Sequence, residues 1–147
     1  MEVKRGKWFE CKVRYEQTQE DGMNKMVTET YVYKAADFGE AYDKTIKDMS
    51  TSISGEFEIT AMKIARYKEI IIQDERTEER YYRVKVNLII LDEKTQKEKK
   101  TACYYLVNAD SVEKARKYTD TALSDTMMDY VIEAVQEAKI IDVIFDD

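Results

Sequence analysis

Residues 31–45 read YVYKAADFGEAYDKT, and residues 105–119 read YLVNADSVEKARKYT. Tyr31 falls on Tyr105, Ala35 on Ala109, Ala41 on Ala115 and Thr45 on Thr119. The echo continues on both sides. Lys12-Val13 aligns with Lys85-Val86, and Ile59, Ala61, Ala65 and Ile71 align with Ile132, Ala134, Ala138 and Ile144. A chain that writes one order of polar and apolar positions twice is expected to build one supersecondary unit twice. That constraint is stronger than any composition figure.

Within the first copy, WFECKVRYE (residues 8–16) alternates, with Phe9, Cys11, Val13 and Tyr15 on one side and Trp8, Glu10, Lys12 and Arg14 on the other. A period of two marks a half-buried strand. Asp21-Gly22 signals a turn, and VTETYVYKA (27–35) forms a second strand. Asp37 followed by Glu40 reads as a capping box, after which Phe38, Ala41, Tyr42, Thr45, Ile46 and Met49 form a helical stripe. Beyond Gly55, residues 56–72 read as one long extended segment. Its apolar phase changes between Ala61 and Met62, which predicts a bulge or bend.

The second copy repeats this order with YYRVKVNLIIL (81–91), TACYYLVNA (101–109), a helix capped by Ser111 and a closing segment at 129–145. Val112, Ala115, Thr119, Ala122 and Leu123 supply that helix's apolar stripe. Each half is thus β-β-α-β, spanning about residues 7–72 and 81–145, joined by the polar linker QDERTEER at 73–80. One such unit alone has a marginal core. The expected architecture is therefore a single α+β domain over residues 1–147. It is an internally duplicated, pseudo-twofold arrangement, with a mostly antiparallel sheet and two helices packed on it.

A chain of 147 residues buries roughly 68–70% of its unfolded surface, so a core forms without metal or disulfide. No apolar run reaches the roughly 18 residues of a membrane span, and MEVKRGKWFE lacks a leader's apolar stretch, so a cytoplasmic protein is expected. Cys11 and Cys103 lie in alternating runs and read as buried thiols. With no histidine, every His-dependent catalytic or metal site is excluded. The four glycines stand alone at 6, 22, 39 and 55, so no phosphate loop exists. The abundant carboxylates, Glu78-Glu79 and the terminal IFDD among them, read as solvated surface. The expectation is no catalytic residue, no cofactor and no metal.

What distinguishes the chain is the side of the strands facing away from the helices. In the hairpins this outer face collects Lys12, Arg14, Lys34, Arg83 and Lys85 against Glu10 alone, about four units positive on a chain of net charge −6. Trp8, Tyr81 and Tyr104 join it. Rings beside cations on an open sheet suit single-stranded DNA or RNA, whose bases stack while the cations track phosphates. The same residue types favour protein contacts, so a homodimer or another protein partner on this face is the alternative.

The blocks WFECKVRYEQTQEDGMNKMVTETY, SGEFEITAMKIARY, LDEKTQKEKKT and DYVIEAVQEAKIIDVI together resemble a family of small uncharacterised proteins from Bacteroidetes and their mobile elements and phages, over about residues 7–145. The family is itself a domain of unknown function. The resemblance implies a bacterial or phage cytoplasmic setting and transfers no catalytic residue.

Overall fold

The alternation in residues 8–16 becomes a strand for the reason the sequence indicates: Phe9, Cys11 and Val13 are completely buried on one side. The computed structural model describes residues 1–74 and 78–145. Along the chain run β1 (Glu2–Lys4), β2 (Trp8–Thr18), β3 (Asn24–Lys34), α1 (Phe38–Ser52), β4 (Phe57–Ala65), β5 (Glu69–Ile72) and β6 (Tyr81–Leu91). They are followed by β7 (Glu98–Asn108), α2 (Val112–Leu123), β8 (Asp129–Ala138) and β9 (Asp142–Ile144). The class is α+β. The described strands form two mostly antiparallel sheets, and each helix packs on its own sheet rather than sharing one.

The N-terminal sheet has the order β4-β2-β3-β9. Strands β2 and β3 pair without interruption from Trp8↔Lys34 to Thr18↔Asn24, closed by a turn in which Gly22 takes the glycine-favoured φ of 84°. Phe9, Cys11, Tyr33 and Ala35 pack with Ala41 of α1. Asp37 caps that helix by accepting the Glu40 N–H at 2.8 Å. Thr45 is tolerated in the buried stripe because its hydroxyl donates to the Ala41 carbonyl at 2.7 Å. The expected phase change is a bulge in β4: Lys12 pairs with Ala61 and Val13 with Ile59, leaving Thr60 as the extra residue.

The C-terminal sheet has the order β1-β5-β7-β6-β8. Its hairpin runs from Tyr81↔Asn108 to Leu91↔Glu98. Tyr82, Val84, Val86, Leu88, Tyr105 and Val107 form the core with Ala115 and Leu123 of α2. Ser111 accepts the Lys114 N–H at 3.2 Å as N-cap, and Thr119 donates to the Ala115 carbonyl at 2.8 Å. Here too β8 carries a bulge, with Glu133 as the extra residue between the pairs Lys85↔Ala134 and Val86↔Ile132.

Two extended segments differ from the sequence reading. Residues 56–72 break after Ala65, and β5 leaves to pair in parallel with β7 in the C-terminal sheet. Residues 129–145 break after Ala138, and β9 pairs in parallel with β3 in the N-terminal sheet. Strand burial accounts for the break. Strand β4 alternates between covered and open positions, whereas all four residues of β5 are buried, the pattern of a strand covered on both faces. The described residues therefore divide into two compact units. One holds Met1–Arg5 with Tyr67–Ala138, and the other holds Gly6–Arg66 with the segment beginning at Lys139. Among the described residues no helix is long and apolar enough to cross a membrane. The middle of the predicted linker, residues 75–77, and the last two carboxylates of IFDD lie outside the described residues.

Candidate binding surfaces

On the N-terminal sheet, pairing fixes the neighbours of each outward residue of β2. Lys12 lies between Thr30 and Ala61, and Arg14 between Thr28 and Glu58. Both side chains are exposed, and neither forms an ion pair with a described residue. Lys34 is half-buried, its stem laid against Gly6, where an added Cβ would come within 2.7 Å of the lysine Cε. Glu10 is buried and receives Lys63 Nζ at 3.3 Å. Strand β4 thus adds Lys63 and Glu58 to a face that the hairpin alone describes incompletely.

Trp8 is not on the open surface: it is 1% exposed, and its indole N–H is buried without a described hydrogen-bond partner. Tyr81, at the matched position of β6, is 5% exposed. The reason is the two-sided burial of that end of each hairpin, where the first four residues of β2 and the last four of β7 are all buried. The sequence held a sign of this in Trp8-Phe9, Tyr81-Tyr82 and the run Tyr104–Val107, where both phases are apolar. Strict alternation applies only where one face is wet.

The remaining outward residues of the C-terminal sheet are mostly engaged. The Arg83 guanidinium donates to the Tyr67 hydroxyl at 3.0 Å and lies 5.8 Å from that ring's centroid. Lys85 Nζ meets Glu133 Oε2 at 3.0 Å, and Asn87 donates to the same oxygen at 2.8 Å. The hydrogen bonds from Lys85 and Asn87 hold the Glu133 carboxyl below its ordinary range, and Glu133 in turn raises the Lys85 ammonium. In the N-terminal sheet the corresponding bulge residue is Thr60, which leaves Lys12 without a carboxylate. Tyr104 is exposed. Of the eight residues singled out from sequence, Lys12 and Arg14 stand open on one sheet and Tyr104 on the other. Lys34, Arg83 and Lys85 are half-buried, and Trp8 and Tyr81 are buried.

One surface was missed. At the far end of the C-terminal sheet Ile90, Leu91, Met128 and Val131 are exposed, Leu91 to 55%, and Met127 is 99% exposed. The signal was available in Leu88–Leu91, four consecutive apolar residues that no alternation can bury together. Burial pushes the Cys11 and Cys103 thiols up, away from the thiolate range of reactive cysteines. Among the described residues no group of three or more cysteines, aspartates and glutamates is placed to hold a metal ion.

Comparison with curated proteins and with solved structures returns no match. The profile of one family, Domain of unknown function (DUF4494), matches residues 7–146, nearly the whole of the chain. The chain belongs to the DUF4494 family.

Proposed function

We propose that the protein is a non-enzymatic interaction module whose partner is a second copy of itself, joined at the far end of the C-terminal sheet. The observation that carries this reading is the exposed pair Leu91 and Val131 on the outer face, with the exposed Met127 and Met128 leading into the edge strand β8. Such groups on a water-soluble surface mark contact sites. Methionines, flexible and polarizable, adapt in shape to a facing surface. Strand β8 runs ten residues at the sheet edge with no lysine, proline or glycine, and is blunted only by the bulge at Glu133 and the carboxylates Asp129, Glu133 and Glu137. Two such edges related by a twofold axis form an isologous contact. Sedimentation over a range of concentrations tests it. A dimer that tolerates salt is expected, reduced to monomer by Leu91→Asp or Val131→Asp with circular dichroism unchanged. A wild-type chain that stays monomeric at high concentration overturns the reading.

A second reading rests on Lys12 and Arg14, two open cations without ion-pair partners among the described residues. They suit the phosphates of a single-stranded nucleic acid. With Trp8 and Tyr81 buried, the binding this supports is by charge rather than by stacking, so it is strongly salt-dependent. Anisotropy of labelled single-stranded and duplex oligonucleotides is the suitable assay, since Trp8 is too buried to report contact. Lys12→Glu is expected to weaken binding at low salt. Absence of any binding at low salt eliminates nucleic acid as a partner.

A further inference from the structure

A cavity of about 530 Å³ opens on the helix side of the C-terminal sheet, lined by residues of β5 and β7 and by the end of α2. One of its lining residues, Ala122, stands where the matched helix of the N-terminal sheet carries Asp48. In the N-terminal sheet the Tyr33 hydroxyl crosses to α1 and donates to Asp48 at 2.7 Å. The matched residues in the C-terminal sheet are Val107 and Ala122, which have neither the reach nor the polar groups to do so. The helix caps and the buried threonines Thr45 and Thr119 make the same bonds in both units and so fix the correspondence.

The lining is polar in a specific way. Glu69 is only 8% exposed and is held by an ion pair with Arg5, whose side chain is 82% exposed. The pair uses Nε of the guanidinium. Tyr105 is buried beside it. At the rim Lys68 and Asp125 are exposed, and neither has an ion-pair partner among the described residues. The last turn of α2 has no basic side chain, so its carbonyl end adds partial negative charge on the Asp125 side. The cavity thus presents one uncommitted cation and one uncommitted anion above a neutral ion pair. A ligand with a single charge would leave the opposite rim group without a partner.

We propose that this cavity binds a small zwitterion bearing one carboxylate and one ammonium, of amino-acid to dipeptide size. The carboxylate meets Lys68 and the outer nitrogens of Arg5, and the ammonium meets Asp125. The volume lies within the roughly 300–1,000 Å³ of small-molecule pockets. This site is independent of the contact surface proposed above.

Calorimetric titration of the full chain with leucine, glutamine, γ-aminobutyrate and diglycine, beside butyrate and butylamine as single-charge controls, tests the inference. At least one zwitterion is expected to bind with a Kd of about 1 mM or tighter, with both controls weaker by about tenfold or more. Lys68→Ala and Asp125→Asn, both at the rim, are each expected to weaken that zwitterion by about tenfold. The double variant Val107→Tyr with Ala122→Asp, which rebuilds the tyrosine–aspartate pair of the other sheet, is expected to abolish binding while a cooperative thermal transition is kept. If that double variant does not fold, the rim variants decide. No binding by any zwitterion up to about 10 mM, controls that bind equally well, or rim variants without effect each overturn the proposal.

Discussion

Several tyrosines in this protein are tied to carboxylates at close range. Tyr15 and Tyr31 both donate to Glu29 Oε1, at 2.7 and 3.1 Å, and Tyr33 donates to Asp48 at 2.7 Å. Burial, reinforced by the adjacent carboxylate, pushes Tyr15 up to about 12 and raises Tyr31 and Tyr33 further in the same direction. Tyr105 is raised chiefly by burial as well. A folded-state pKa above the unfolded value contributes stability that is complete below the ordinary phenol pKa of about 10 and is lost as pH rises past it. Unfolding is therefore expected to become easier above about pH 10, with these phenols ionising as the fold is lost. Absorbance of tyrosinate followed together with circular dichroism checks this. A single step near pH 10 with an intact fold would contradict it. At this scale the helix-facing residues were legible, because a two-residue period on one buried face is a local property. Trp8 and Tyr81 were misplaced, because their burial depends on what covers the second face, of which the paired apolar residues Trp8-Phe9 and Tyr81-Tyr82 are the one local sign.

The helices were the most legible elements. Asp37 and Ser111 cap as their position before an apolar stripe predicts. Replacing either by alanine is expected to lower stability by about 1 kcal/mol. Urea denaturation should show this as a lower midpoint with an unchanged slope. A change in slope would mean that the helix end is coupled to more of the fold than its own first turn. The bulge in β4 was readable from its phase change, but the matching bulge in β8 was not, since Glu133 lies in an otherwise regular run. The partners of β5 and β9 were also illegible. Sequence marks both as extended and apolar, yet the choice of neighbour is made by contacts distant in the chain. The same holds for the cavity, where the Glu69 that anchors Arg5 is 64 residues away.

Across the whole molecule the informative feature is reciprocal. Strands β1 and β5 come from the N-terminal half and sit in the C-terminal sheet, while β9 comes from the C-terminal half and sits in the N-terminal one. Neither half contains a complete sheet. Fragments covering residues 1–76 and 77–147 are each expected to give poorly dispersed amide spectra alone and a native-like spectrum when mixed in equal amounts. Two fragments that fold separately and ignore each other would show that the exchanged strands are dispensable. The arrangement also sets a timetable for a chain that emerges from the ribosome from its N-terminus. Strand β3 is finished at Lys34, but β9, which covers one of its edges, is not made until Ile144. At typical elongation rates the gap is roughly 5–20 s. All of β5 to β8 is translated inside that interval, so the sheet whose hairpin is made first is completed last. During the wait β3 keeps one edge open, accessible to a chaperone or to the same segment of a neighbouring nascent chain.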